Sequence, residues 1–120
     1  MKVLIADDFD LIREGIAGDI SGWAPRAQVF EVSDGSEALE ILGRNSIDLI
    51  ITDIGMDPMD GLELIRRVRE TDSSVTIFAM SGTLEDLVRA KQLGANKIFL
   101  KGRDSGKMDE AIENFLKSAE

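Results

Sequence analysis

The sequence predicts an α/β protein with one parallel sheet of five strands, covered by helices on both faces. Five short apolar runs alternate with stretches in which apolar residues recur every three or four positions, and the connections between them are short. The runs are apolar at nearly every position, which is typical of strands buried on both faces. A chain of 120 residues without linkers or repeats fits one domain.

The five predicted strands are apolar runs that end at a polar or turn-forming residue. They are Val3 to Ala6, Ala27 to Val32, Ile47 to Asp53, Val75 to Met80 and Lys97 to Leu100. The third run leads into Gly55, Pro58 and Gly61, which break any further regular strand. Asp53 is therefore expected at the open end of a buried strand.

Each strand is followed by a helix, which is recognised by apolar residues at helical spacing and by capping residues. The predicted helices are Asp10 to Ile20, Asp34 to Gly43, Leu62 to Glu70, Thr83 to Gly94 and Gly106 to Ser118. The dipeptide Ser21–Gly22 is expected to end the first helix. Capping boxes open the second and fourth helices, where Asp34 precedes Glu37 and Thr83 precedes Asp86. The fourth-helix side chains expected to face inward are Leu84, Leu87 and Val88.

The net charge and the missing residue types exclude several function classes. The chain has no cysteine, so disulfides and thiolate metal sites are excluded and a cytoplasmic location is expected. It has no histidine, the most common general base. A formal net charge of -9 argues against direct binding to nucleic acid or to an anionic membrane. No apolar run reaches the roughly 20 residues needed to span a bilayer, and no signal-peptide pattern precedes the first strand.

Four of the predicted strands end beside residues that can take part in chemistry. These residues are Asp7, Asp8, Asp53, Ser81 and Lys101. Because the carboxyl ends of parallel strands share one edge of a sheet, their side chains are expected to converge. Three carboxylates at one edge repel one another, so a cation is needed besides Lys101. Mg²⁺ fits best, because it accepts carboxylate ligands and retains several waters.

An edge of this kind suits phosphoryl transfer. That chemistry depends on positioning and on charge neutralisation rather than on a general base, which is consistent with the absence of histidine. A metal ion would neutralise one phosphoryl oxygen, while Lys101 and the Ser81 hydroxyl hold the others. An aspartate can act as the nucleophile and become an acyl phosphate.

These residues, taken in order, resemble the receiver domain of bacterial two-component response regulators. The matching segments are I-A-D-D-F near the start, I-T-D-x-x-M before D-G, S-G after the fourth strand, and G-A-N-K-I-F-L-K near the end. The segment L-I-A-D-D-F-D-L-I-R-E-G-I is similar to the corresponding segment of receivers attached to helix-turn-helix transcription factors. The resemblance covers residues 1–120 and implies a flavodoxin-like fold with strand order 2-1-3-4-5, without an output domain in this chain.

The resemblance implies a phosphorylation-activated signalling switch rather than an enzyme. Asp53 would accept the phosphoryl group from a sensor histidine kinase or a phosphotransfer protein. Asp8, Asp53 and the Gly55 carbonyl would bind Mg²⁺ directly, and Asp7 would act mainly through water.

The resemblance also implies where the signal leaves the site. The Ser81 hydroxyl and Lys101 would contact the phosphoryl group, and residues 84–118 would relay the change to a downstream effector protein or to a missing C-terminal output domain. The aromatic switch residue of the family falls at Ile98. Phe99 follows one position later, so it is expected on the opposite face of the sheet. Since Ile98 is β-branched and stiff at χ1, it disfavours an inward and outward rotation.

Two other functions fit parts of the pattern. Asp8-x-Asp10 resembles the nucleophile and acid pair of haloacid-dehalogenase-type phosphatases, although the Gly-Thr expected next is absent. Asp57, where receivers usually carry proline, and Ile98 favour a receiver-like interaction module that works without phosphorylation. An adduct lost in an Asp53 variant favours the receiver, and one lost only in an Asp8 variant favours the phosphatase. A failure to bind either phosphate or metal favours the interaction module.

Overall fold

The computed structural model describes residues 1–118 and contains the predicted sheet and helices. The strands are β1 (Lys2–Ala6), β2 (Gln28–Val32), β3 (Leu49–Asp53), β4 (Thr76–Ser81) and β5 (Lys97–Leu100). The helices are α1 (Asp10–Trp23), α2 (Gly35–Leu42), α3 (Gly61–Thr71), α4 (Leu84–Leu93) and α5 (Ser105–Ser118). Neighbouring strands are parallel in the order β2-β1-β3-β4-β5, so the predicted fold class and strand order are confirmed. Among the helices of residues 1–118, none has both the length and the apolar composition needed to cross a bilayer.

The sheet separates two apolar clusters. Successive strand residues point to opposite faces, so each buried strand contributes to both clusters. Leu4 and Ile50 belong to the cluster covered by α2, α3 and α4. Ile5 and Ile51 belong to the cluster covered by α1 and α5. These four side chains are at most 1% exposed, and burial of this kind is the main term that stabilises the fold.

Helix α1 begins at Asp10 as predicted, but the prediction that Ser21–Gly22 ends it was wrong. The helix continues to Trp23, and the Ala24 N–H donates to the Ile20 carbonyl at 2.7 Å. Trp23 is half-buried against the α1/α5 cluster. This packing offsets the poor helix propensity of the glycine that precedes it.

Side-chain caps mark the start of three helices. Asp34 and Thr83 cap α2 and α4 at the predicted positions. Asp60 also caps α3, since its carboxylate accepts the Glu63 N–H at 2.9 Å. This third cap, which is not among the predicted ones, sets where α3 leaves the loop that follows Asp53.

The prediction that three apolar side chains of α4 face inward was correct for one of them. Leu87 is 2% exposed, whereas Leu84 and Val88 are 57% and 53% exposed. Residues 84 and 88 are four positions apart and share one helix face, while Leu87 and Ala90 form the stripe that packs on the sheet. The apolar pattern identified the helix, but not its rotation about its own axis.

This rotation predicts different costs for two leucine truncations in the same helix. Leu87→Ala is expected to lower the free energy of unfolding by about 2 to 5 kcal/mol, because it leaves a cavity in the core. Leu84→Ala is expected to change it by less than about 0.5 kcal/mol, because the side chain is mostly in water. Urea denaturation measures both values. Equal costs for the two variants would contradict the observed orientation of α4.

Candidate functional site

The carboxyl ends of β1 and β3 bring three aspartates together. The two strands pair in register up to Ala6 and Thr52, so Asp7 and Asp53 are the next residues along adjacent strands. Carboxylate oxygens of Asp7, Asp8 and Asp53 lie within 4.8 Å of one another. Asp7 and Asp53 are buried and Asp8 is exposed, so the acidic group is open to solvent on one side.

Asp7 is fully buried, and only one of its carboxylate oxygens is hydrogen-bonded. Oδ1 accepts the Phe9 N–H at 2.9 Å. Oδ2 lies 4.0 Å from Lys101 Nζ and has no hydrogen-bond partner, which makes it the single buried side-chain atom of this kind within residues 1–118. Burial is the main cause of a raised pKa of Asp7, although the Phe9 hydrogen bond opposes the shift. The Asp53 charge raises that pKa further. A buried carboxylate oxygen without a hydrogen-bond partner is destabilising, and a bound cation would offset this cost.

Lys101 supplies positive charge directly at Asp53. Its Nζ lies 3.0 Å from Asp53 Oδ1, and its backbone N–H donates to the Ser81 carbonyl at 2.9 Å, which holds the end of β5 beside the end of β4. Burial raises the pKa of Asp53, and the hydrogen bond and charge of Lys101 offset part of this rise. One ammonium group cannot neutralise three carboxylates, so the site keeps a net negative charge.

The acidic group fits a hard divalent cation such as Mg²⁺. Its donors are carboxylate oxygens, the ligand type that Mg²⁺ prefers, and the unpartnered Oδ2 of Asp7 adds a buried oxygen to the set. The exposed side at Asp8 leaves space for the waters that Mg²⁺ retains. Gly55, the predicted carbonyl ligand, lies exposed in the loop two residues after Asp53.

A close backbone approach at Gly61 holds the loop that follows Asp53. The Gly61 N–H donates to the Ile54 carbonyl at 2.8 Å. A Cβ at Gly61 would lie only 2.2 Å from the Asp53 carbonyl oxygen, which also accepts the Thr52 hydroxyl at 2.9 Å. The D-G motif noted in the sequence therefore has a steric reason, because a larger residue would displace the Asp53 backbone.

Asp104, which is not among the predicted site residues, closes the loop that carries Lys101. The Leu100 N–H donates to Asp104 Oδ2, and the Asp104 N–H donates to the Leu100 carbonyl, both at 2.9 Å. Gly102 between them has a φ of 85°, a conformation that favours glycine. The hydrogen bond from Arg103 is the main cause that lowers the pKa of Asp104 to about 2. A glycine directly after the lysine, with an acid two positions further on, is the sequence signal for this closed loop.

The Ser81 side chain is buried at the end of β4, and its hydroxyl is hydrogen-bonded to the start of α4. Ser81 Oγ accepts the Thr83 N–H at 3.2 Å and donates to Asp86 Oδ2 at 3.4 Å. Ser81 is thus adjacent to Lys101 through the backbone, while its hydroxyl contacts α4.

Ile98 and Phe99 lie on opposite faces of the sheet, as the sequence predicts. Ile98 is half-buried against the cluster beneath α2, α3 and α4. Phe99 is buried in the other cluster, where its ring centroid lies 5.7 Å from that of Phe78 at an interplanar angle of 70°. The register of β5 with β4 is continuous over Lys97–Leu100, so no bulge turns Phe99 to the α4 side.

Asp10, the second aspartate of the phosphatase-like pair, lies outside the acidic group. It is the first residue of α1, its side chain is 74% exposed, and it forms an ion pair with Arg13 at 2.9 Å. Arg13 also donates to the Asp7 carbonyl at 2.8 Å. The geometry therefore gives no support to an acid and nucleophile pair formed by Asp8 and Asp10.

Comparison with known proteins gives one consistent result. The family model described as "Response regulator receiver domain" matches residues 3–113. Sporulation initiation phosphotransferase F of Bacillus subtilis is 30% identical over 91 residues, which cover 74% of this chain and 73% of that protein. The nitrate/nitrite response regulator protein NarL of Escherichia coli K12 is 31% identical over 112 residues, covering 92% of this chain and 52% of NarL. The chain thus spans about half the length of NarL.

A solved structure supports the fold. Response regulator protein TrrA from Thermotoga maritima superposes with a TM-score of 0.82 at 21% identity, covering 95% of this chain and 97% of that one. Because the family model extends over nearly the whole sequence, this chain belongs to the receiver domains of two-component response regulators, which are phosphoacceptor signalling modules rather than enzymes.

Proposed function

We propose that the chain is a phosphorylation-activated switch in which Asp53 accepts a phosphoryl group. The observation that carries the proposal is the buried Asp53 carboxylate, with Lys101 Nζ at 3.0 Å and two further aspartates beside it. The phosphoryl donor is a sensor histidine kinase or a phosphotransfer protein. Two relatives support this chemistry by family relation: one is named a phosphotransferase, and TrrA was solved in a complex with Mg²⁺ and BeF.

In the transfer step, a carboxylate oxygen of Asp53 attacks the phosphorus of the donor's phosphohistidine. The new P–O bond forms as the P–N bond breaks, and the electron pair stays on the imidazole nitrogen, which takes up one proton. Lys101 stabilises the negative charge that the phosphoryl oxygens bring to Asp53, and the Ser81 hydroxyl donates to one of those oxygens. No general base is needed, because a carboxylate nucleophile, unlike a hydroxyl, has no proton to be removed as it attacks.

Four groups at the site would hold Mg²⁺. They are the carboxylates of Asp7, Asp8 and Asp53 and the backbone carbonyl of Gly55. When bound, the ion supplies neutralisation of charge on the phosphoryl oxygens. Because Asp53 is itself one of these groups, its acceptor carboxylate and the ion would share one site.

We further propose how the signal leaves the domain. Residues 1–120 act as a receiver unit in the cytoplasm, and residues 84–118 carry the change to an effector protein or to a C-terminal output domain. The exposed Leu84 and Val88 lie on this surface and would contact that partner. The net charge of -9 favours a protein partner over nucleic acid.

Removal of the acceptor carboxylate tests the proposal directly. After treatment with acetyl phosphate and Mg²⁺, the wild-type chain is expected to gain the mass of one phosphoryl group, and Asp53→Asn is expected to gain none. Asp57→Asn is the matched control, since it removes an exposed carboxylate of the same loop. Intact mass spectrometry reads all three. An adduct that persists in Asp53→Asn and disappears in Asp8→Asn would favour the phosphatase interpretation, and no adduct in the wild type would favour the interaction module.

The buried charge of Asp7 predicts a trade between stability and metal binding. Asp7→Asn is expected to raise the free energy of unfolding at neutral pH by about 1 to 3 kcal/mol, because it removes a buried carboxylate charge whose Oδ2 has no hydrogen-bond partner. It is also expected to weaken Mg²⁺ binding, which isothermal titration calorimetry measures.

The stability gain of Asp7→Asn is expected to depend on pH. Since the pKa of Asp7 is raised in the fold, the folded wild type binds more protons than the unfolded chain between the unfolded and folded pKa values. Wild-type stability from this group therefore rises as the pH falls through that window, and the advantage of the variant shrinks. Urea denaturation in metal-free buffer across this window measures the difference. A variant less stable than the wild type at neutral pH would contradict the assigned cost of the Asp7 charge.

The closed loop at Asp104 predicts an effect that acts through Lys101. Asp104→Ala is expected to slow phosphorylation by acetyl phosphate about tenfold, because a displaced Lys101 no longer meets the phosphoryl group. Asp104→Asn keeps an oxygen that can accept the Leu100 N–H and should lose less. In a Lys101→Ala background, Asp104→Ala should cause no further loss. Additive losses in the double variant would show that Asp104 acts independently of Lys101.

A further inference from the structure

The hydroxyl of Ser81 has one proton, and its donor contact is to the start of α4. Asp86 is in the first turn of α4, and its carboxylate oxygen Oδ2 accepts from the Ser81 hydroxyl at 3.4 Å. The second contact of the hydroxyl, at 3.2 Å, is as an acceptor from the Thr83 N–H. The Ser81 side chain is therefore held by two residues that open α4.

A phosphoryl group on Asp53 would compete for the same proton. Phosphoryl oxygens, like the Asp86 carboxylate, accept hydrogen bonds and cannot donate them when ionised. A hydroxyl has a single O–H donor, so it donates to one acceptor at a time. The contact to Asp86 and a contact to the phosphoryl group are thus alternative states of one side chain.

β5 places no aromatic side chain on the α4 side of the sheet. Phe99 is buried on the α1/α5 side of the sheet, and Ile98 occupies the position on the α4 side. The aromatic residue, Phe99, therefore faces away from α4, and the residue that faces α4, Ile98, is not aromatic. The Ser81–Asp86 hydrogen bond is a direct polar connection from the site to α4.

We propose that Asp86 is a positioning residue that holds the Ser81 hydroxyl toward α4 until Asp53 is phosphorylated, and that the loss of this hydrogen bond transmits phosphorylation to the start of α4. The inference rests on the phosphoacceptor function proposed above. It assigns the switch to a polar pair in place of an aromatic side chain. The free energy needed to break the Ser81–Asp86 hydrogen bond therefore weakens the binding of any phosphoryl-like ligand.

A double-mutant cycle with BeF₃⁻ and Mg²⁺ tests this inference, with binding followed by amide NMR titration. Asp86→Ala is expected to tighten BeF₃⁻ binding about twofold to tenfold, because the Ser81 hydroxyl is already free. In a Ser81→Ala background, Asp86→Ala should leave the affinity unchanged. Glu85→Ala is the matched control, since it removes an exposed carboxylate from the same helical turn. It should leave the affinity unchanged in both backgrounds.

The amide shifts give a second measure that loss of helix stability alone would not produce. The BeF₃⁻-induced shifts of residues 83–87 should become smaller in Asp86→Ala than in the wild type, because the bond that breaks on binding is already absent. Asp86→Asn keeps an accepting oxygen and serves as a second variant. Its affinity for BeF₃⁻ is expected to lie between those of the wild type and Asp86→Ala.

Each outcome decides between the proposals. Tighter binding that vanishes in the Ser81→Ala background supports the inference. It is overturned by an unchanged affinity of Asp86→Ala, by the same gain without the Ser81 hydroxyl, or by an equal gain in Glu85→Ala. A wild-type chain that binds no BeF₃⁻ overturns the proposed phosphoacceptor function itself, and the inference with it.

Discussion

Two buried carboxylates at the ends of adjacent parallel strands face one lysine ammonium, and the remainder of the site is arranged around this imbalance of charge. Asp7 and Asp53 lie at the end of strands that are apolar on both faces, so burial raises both pKa values. The 3.0 Å contact from Lys101 satisfies only one of them directly. The apolar core on each side of β1 and β3 provides the stability that keeps these charges in place. A site with this deficit of positive charge favours a divalent cation.

Short-range backbone contacts set the geometry of the groups around these charges. Gly61 approaches the Asp53 carbonyl so closely that no Cβ fits, which fixes the start of the loop after β3. Asp104 closes the turn after β5 through two hydrogen bonds with Leu100, which fixes the loop that presents Lys101. Both contacts hold Asp53 and Lys101 close to the ends of strands, where the packed core resists small displacements.

Ile98 and Phe99 are consecutive in β5 but pack on opposite faces of the sheet. Phe99 packs edge-on against Phe78 and strengthens the α1/α5 side, where an inward and outward rotation would open a cavity. The α4 side receives Ile98, which is stiff at χ1. The Ser81–Asp86 hydrogen bond, by contrast, can break without the movement of a large side chain in either layer. The proximity of Ser81 to α4 follows from the short loop between β4 and this helix.

The sequence by itself determined the order of strands and helices and the acidic edge of the sheet. Periodicity identifies each element locally, and a parallel topology brings all carboxyl strand ends to one edge, so Asp7, Asp53 and Lys101 could be placed together without coordinates. Only the tertiary structure decided that Leu84 is exposed, because a helix with apolar residues on several sides takes its rotation from the surface on which it packs. It also decided that the Ser81 hydroxyl bonds to α4, because a buried side chain takes the rotamer that its packed neighbours allow.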